Sequence, residues 1–199
     1  MYYSVFKGFN KGIYRSWKEC EREVKGYKGA IYKKFKSEIE AIEFLNNGKL
    51  KDDKSNFLKV YTDGSCINNG KEGSKGGIGI YFGDGDSRNV SKSLEYDKVT
   101  NNVAELSALN EALDILVEYD SDTIIYTDSK YVILCCTSYG RKQSVKNWID
   151  DIPNKDLVKL VYNKFISKEN IRLEYVRGHN NCHGNDMADK LAREGINYN

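Results

Sequence analysis

One run of five residues, Thr123-Ile124-Ile125-Tyr126-Thr127, restricts this chain more than any other stretch. It is short, β-branched and nearly all apolar, and it ends on an acid, Asp128. A strand with apolar residues on both faces must be covered on both faces, which calls for a central place in a sheet with helices above and below. Phe57 to Thr62, Gly77 to Phe82 and Ile171 to Val176 also read as strands, the first two joined by a polar, glycine-rich connection. Helical patterns lie at Asn102–Tyr119, Ser129–Cys136, Asp156–Phe165 and Asn185–Arg193. In the first of these, Val103, Leu106, Leu109, Leu113, Leu116 and Val117 form one apolar stripe. Strands lead and then alternate with helices, so residues 57–199 are expected to form an α/β domain with a mixed sheet flanked by helices.

Residues 1–47 read as a separate small α+β unit of order β-β-α-β-α. Tyr3–Phe6, Gly12–Tyr14 and Ile31–Phe35 are its strand candidates, Ser16-Trp17-Lys18-Glu19 is a capping box opening a helix to about Val24, and Ser37 opens a second helix through Leu45. Residues 48–56 are polar and aperiodic and are expected to be a linker. The net charge of +2 hides an asymmetry: residues 1–50 carry a net +5 and the remainder a net −3. A basic front suits a polyanion, and an acidic back concentrates carboxylates for another purpose.

No apolar run is long enough to cross a bilayer, and Met1 to Lys7 lacks the apolar core of a signal peptide. The five cysteines have neither paired metal-site spacing nor the framework of a secreted miniprotein. A reduced cytoplasmic setting, no membrane partner and a monomer are the expectations.

Four acids stand out by position. Asp63 ends the first strand of the second domain, Asp128 ends the central strand, Glu105 lies early in the long helix and Asp189 lies in the last one. Taken singly, each has an ordinary reading as a turn former or a helix-dipole partner. Together they follow apolar strands or interrupt small-residue helix faces; Glu105 shares its face with Asn101, Ala108 and Ala112. Carboxylates gathered without lysines repel one another, and oxygen-only ligands suit Mg²⁺ or Mn²⁺. Two such ions about 4 Å apart can clamp the attacking and leaving oxygens of a phosphodiester.

The motifs Tyr61-Thr62-Asp63-Gly64-Ser65, Thr100-Asn101-Asn102-Val103-Ala104-Glu105-Leu106, Tyr126-Thr127-Asp128-Ser129-Lys130-Tyr131-Val132, and Val176-Arg177-Gly178-His179 followed by Gly184 to Ala192 resemble, in order and spacing, ribonuclease H type 1. Residues 2–45 resemble the hybrid-binding domain of cellular enzymes of that type, at Tyr3, Trp17-Lys18-Glu19-Cys20 and Tyr32-Lys33-Lys34-Phe35. The resemblance implies a mixed five-stranded sheet, and Asp63, Glu105, Asp128 and Asp189 as ligands of two Mg²⁺ ions, with Mn²⁺ as a substitute. It implies hydrolysis of the RNA strand of RNA–DNA hybrids to 3′-hydroxyl and 5′-phosphate ends, as in removal of primers and R-loops. His179 would assist proton transfer beside the second ion, where imidazole titrates in the right range.

By the same matching, Asn69, Asn101 and Asn102 would read the minor groove, while Thr100 and Asn154 would seat a DNA phosphate, with Lys98 near a position that is often basic. Tyr3, Trp17 and Tyr32 would form an aromatic platform and Lys33 and Lys34 would meet phosphates. The family's longer basic projection is reduced here to Arg141, Lys142, Lys146 and Trp148, which makes the basic front domain a substitute grip. Three other readings stay open: a zinc cluster of His179, Cys182 and His183; a nuclease of the same fold for another duplex; and a non-catalytic duplex-binding protein.

Overall fold

The computed structural model describes residues 1–47, 57–95, 98–178 and 182–197. The expected linker, residues 48–56, and His179 lie outside them. The chain divides into two compact units, Met1–Asn56 and Phe57–Asn199.

The front unit is an antiparallel sheet of order β2-β1-β3, made of β1 (Tyr2–Lys7), β2 (Gly12–Tyr14) and β3 (Ile31–Phe35). Helix α1 (Trp17–Val24) opens on the expected capping box, with Ser16 accepting from the Glu19 amide and the Glu19 carboxylate accepting from the Ser16 amide. Helix α2 is Glu38–Asn47. Alternation along β1 gives the sheet two small cores. Val5 packs with Cys20 and Val24 of α1, while Tyr2 and Phe6 pack around Phe35, Ala41 and Phe44 on the α2 side.

The second unit holds a five-stranded sheet of order β6-β5-β4-β7-β8. Its strands are β4 (Leu58–Ile67), β5 (Lys75–Tyr81), β6 (Val90–Leu94), β7 (Thr123–Thr127) and β8 (Ile171–Tyr175). Strands β4, β7 and β8 run parallel, and β5 is antiparallel to both of its neighbours. Its helices are α3 (Asn101–Ile115), α4 (Lys130–Cys136), α5 (Ser138–Val145), α6 (Lys155–Ile166) and α7 (His183–Gly195). The large aliphatic core, including Val60, Ile80, Leu106, Leu109, Ile125, Val158 and Val161, lies between the sheet and α3, α4 and α6. The opposite face carries α7.

The mixed sheet with flanking helices is as expected, and several details differ. Strand β7 lies one place from the centre; β4 is the middle strand. The edge strand β6 and helix α5 had no clear sequence signal: Val90-Ser91-Lys92-Ser93-Leu94 is mostly polar and pairs on one side only. Helix α3 stops at Ile115, and Val117, expected in the buried stripe, is 56% exposed. Burial on α3 is also wider than a stripe, because Ala104, Ser107, Ala108 and Ala112 are covered as well. Trp148 is a core residue packed edge-on against Tyr162, so it belongs to no projecting grip.

Glycines of the middle strands set how closely the helices approach. A Cβ on Gly64 would overlap the Ala104–Glu105 backbone of α3, and a Cβ on Gly79 would overlap the Ala188 carbonyl of α7. Ser91 Oγ adds a tie at 2.8 Å to the Leu191 carbonyl. Gly79→Ala must therefore push backbone away from backbone. It is expected to cost roughly 1–3 kcal/mol or more, read as a fall of about 2–4 °C in melting temperature per kcal/mol. An unchanged melting temperature would show that the helix yields freely.

Candidate active site

The site begins with a strand that overruns its partner. Parallel pairing of β4 with β7 ends at Tyr61 opposite Tyr126, so Asp63 and Asp128, each two residues further on, stand at one level. Asp63 is thus not at a strand end, as expected from sequence, but inside β4, whose antiparallel pairing with β5 continues to Ile67. Asp128 follows β7 directly, where the chain turns into α4 through Ser129, whose side chain caps that helix.

The two glycine contacts deliver the remaining acids. Because α3 rests on Gly64, Glu105 is brought beside Asp63. Because α7 rests on Gly79, the cross-strand partner of Asp63, Asp189 comes to the same place. Asp63, Glu105 and Asp128 each offer an oxygen within 4.8 Å of the others. Asp189 contacts Asp63 but also holds Arg193 at 2.5 Å. Among the described residues none of the other three carboxylates forms an ion pair with a Lys or Arg.

Electrostatics follow from burial and like charge. Desolvation, then the charges of Asp128 and Asp189, raise the Asp63 carboxyl above the ordinary carboxylate range. Desolvation, then Asp63 and Asp128, raise Glu105 in the same direction. Glu105 Oε2 is buried without a hydrogen-bond partner. An orphaned carboxylate oxygen facing two other carboxylates fits a hard divalent cation: the donor set is all oxygen, the net charge is negative, and the coordination demand is unmet within the protein.

Beside the cluster, Asn185 of α7 donates Nδ2 to Asp128 Oδ2 at 3.1 Å, and Gly178 lies against the same oxygen. Sequence reasoning did not single out Asn185; its position four residues before Asp189, on one helix face, was the available signal. Gly178 precedes His179, the expected proton shuttle, which is outside the described residues. The zinc alternative includes His179 and so lies partly outside the described residues; of its other members, His183 faces Tyr81 Oη at 3.2 Å and Asp84 at 3.3 Å, and Cys182 lies beside Tyr61.

The polar residues expected to touch substrate do come together. Asn69, Gly70, Thr100, Asn101, Asn102, Pro153 and Asn154 line one cleft of about 390 Å³. Thr100 also caps α3, accepting from the Val103 amide, and Asn69 Oδ1 accepts from the Asn101 amide at 3.0 Å. The N-termini of α3 and α6 therefore both open here. Lys98, Asn154 and Lys155 line an adjoining cleft of about 240 Å³. Asn154 Nδ2 reaches Tyr131 Oη at 3.4 Å, and Tyr131 joins Leu134, Cys135 and Tyr139 along an apolar groove that sequence reasoning missed.

In the front unit the platform assembles on the α1 side. Trp17 sits between Tyr3 and Tyr32, with ring centroids at 5.9 and 5.8 Å, and Lys34 Nζ lies 5.7 Å from the Tyr3 ring. Trp17 and Tyr32 are each 43% exposed. Lys33 is exposed too, but strand alternation sends it to the other face, with Phe35. The structure thus separates Lys33 from the platform that Lys34 joins.

The raised carboxyls make a stability prediction for the cation-free protein. In the folded state Asp63 and Glu105 hold protons more tightly than in the unfolded chain, so stability falls as pH rises from the ordinary carboxylate range toward these raised values, by the contribution of these two groups. The melting temperature in chelator is expected to drop between about pH 5 and about pH 8, and Glu105→Gln is expected to flatten that slope. A slope that Glu105→Gln leaves intact would remove Glu105 as its source.

Comparison with known proteins identifies the family. Residues 55–197 match the RNase H family, and residues 1–45 match the ribonuclease H1 N-terminal domain. Over 98% of the chain and 96% of the relative, the sequence is 31% identical to the ribonuclease H of Schizosaccharomyces pombe. It is 27% identical to human ribonuclease H1 over 98% of this chain and 89% of that one. Among solved structures, LC9-RNase H1, a type 1 enzyme with the type 2 active-site motif, superposes with a TM-score of 0.55 at 23% identity, over 70% of this chain and 71% of that one. A catalytic-domain match over most of the chain, a second match at the front and relatives aligned nearly end to end lead to one conclusion: the chain belongs to the ribonuclease H family.

Proposed function

We propose that this enzyme hydrolyses the RNA strand of RNA–DNA hybrids, using two divalent cations, Mg²⁺ or Mn²⁺, held by Asp63, Glu105, Asp128 and Asp189. The observation that carries the reading is the buried, unpaired Glu105 Oε2 among carboxylates drawn from β4, α3 and the end of β7. When bound, such ions supply Lewis-acid polarisation of the phosphate and a more acidic water. The protein's part is to hold the carboxylates at one level of the sheet, keep Lys and Arg away from three of them and partly exclude water. His179 moves a proton at the leaving oxygen, so that the products carry a 3′-hydroxyl and a 5′-phosphate.

Strand choice falls to the neighbouring clefts. Amides of Asn69, Asn101 and Asn102 can both donate to and accept from a 2′-hydroxyl, the group that distinguishes RNA. Thr100 and Asn154, at two helix N-termini, suit a phosphate of the DNA strand, with Lys98 and Lys155 adding positive charge that Asp156 of the same cleft offsets in part. The apolar groove along Tyr131 and Tyr139 suits a deoxyribose, which has no 2′-hydroxyl to desolvate. The front unit adds a second grip through Trp17, Tyr32, Tyr3 and Lys34. Primers and R-loops are the substrates such an enzyme would meet.

Labelled hybrid, double-stranded RNA and double-stranded DNA, each with Mg²⁺, Mn²⁺ or chelator, test the activity: only hybrid with metal is expected to be cut. Asp128→Asn keeps the side chain's shape and removes its charge. It is expected to lower cleavage by at least about 1000-fold while hybrid binding persists; cutting near the wild-type rate would refute the ligand assignment.

Deleting residues 1–50 is expected to weaken binding to long hybrids and flatten its dependence on salt. Lys34→Ala should reduce the log–log salt slope by about 1, and Trp17→Ala should cost roughly 1–3 kcal/mol of binding. Lys33→Ala, on the other face, is expected to do less than Lys34→Ala. Equal effects of the two lysine variants would show that the platform does not orient the duplex.

A further inference from the structure

We propose that Asn185 is a positioning residue that sets the cation affinity of the cluster by fixing the Asp128 carboxylate; this rests on the cation-binding reading above. Three observations carry it. Asn185 is 2% exposed, its Nδ2 donates to Asp128 Oδ2 at 3.1 Å, and its Oδ1 is buried with no partner. A packing residue at this point of α7 would have no need of an amide. An unsatisfied buried acceptor is destabilising, and an apolar side chain of similar volume would avoid that cost.

The geometry explains the amide instead. Gly178 abuts Asp128 Oδ2, since a Cβ there would lie 2.5 Å from it, so that oxygen is confined between a backbone and a hydrogen-bond donor. Rotation of the carboxylate about its Cβ–Cγ bond is thereby restricted, and its second oxygen is presented from a defined direction. Pre-orienting a ligand lowers the ordering cost of binding, and the neutral amide adds no charge that would compete with the ion. A hydrated divalent cation held by the cluster would bring O–H donors, and the unpartnered Oδ1 of Asn185 would be available to accept one. Asn185 shares α7 with Asp189, one turn away, so the helix that rests on Gly79 supplies both an acid beside Asp63 and a clamp on Asp128.

The test measures Mn²⁺ binding to the full chain without nucleic acid, by the paramagnetic resonance signal of free Mn²⁺, in wild type, Asn185→Ala, Asn185→Leu and Asp128→Asn. The Asn185 variants are expected to bind roughly 10- to 100-fold more weakly, at unchanged near-ultraviolet dichroism. A purely structural role would lower the melting temperature and leave that affinity alone. Folded Asn185 variants that bind Mn²⁺ like wild type overturn the positioning role and leave the cation site standing. An Asp128→Asn protein that binds like wild type would instead overturn the cation reading itself. Should neither Asn185 variant fold, the wild type still decides: its Asn185 side-chain amide resonance is expected to move during Mg²⁺ titration in step with saturation. An amide that stays fixed through saturation overturns the inference.

Discussion

Backbone resting on backbone is the contact on which the rest of this enzyme depends. Helix α3 lies on Gly64 and helix α7 on Gly79, with no side chain between, and no other residue would allow either approach. In ordinary layer packing, side chains fill the space between elements and keep their backbones apart. Here the gap closes, and acids on two helices reach one inside β4 and one just past the end of β7. Site geometry is thus a by-product of small residues in the middle of the sheet.

That arrangement works against stability locally. Burial and mutual repulsion raise the Asp63 and Glu105 carboxyls, and Glu105 Oε2 lacks a partner. A fold optimised for stability alone would not bring these groups together. The aliphatic core on the other face of the sheet supplies the rigidity that holds them, with Leu106, Leu109 and Leu113 anchoring the same helix that carries Glu105. One helix therefore has two tasks, and its unusually wide burial reflects both.

The front unit applies a simpler rule. Its strands alternate, so consecutive residues face opposite sides, and a basic pair adjacent in sequence is divided in space. Lys34 stands with Trp17, Tyr3 and Tyr32, whereas Lys33 stands with Phe35. A basic aromatic cluster in sequence is thus narrower as a surface, and the exposed aromatic rings give that surface its direction.

Much of this was legible in the chain itself. The apolar run at Thr123–Thr127, the helical spacing of Leu106, Leu109 and Leu113, and the Ser16 to Glu19 box each act through neighbours in sequence, so their outcome is written locally. The four acids and the Asn69, Thr100 and Asn154 group were named by motif, and a shared cleft joins the latter three. Tertiary structure alone decided the rest. Strand β6 has a weak pattern and exists because β5 offers it an edge; Asp63 sits mid-strand because β5 pairs beyond the point where β7 ends. Asn185 meets Asp128 across 57 residues of sequence. Local propensity encodes periods and caps, but which side chain meets which carboxylate depends on how close two backbones come, and that distance is set only when the layers pack.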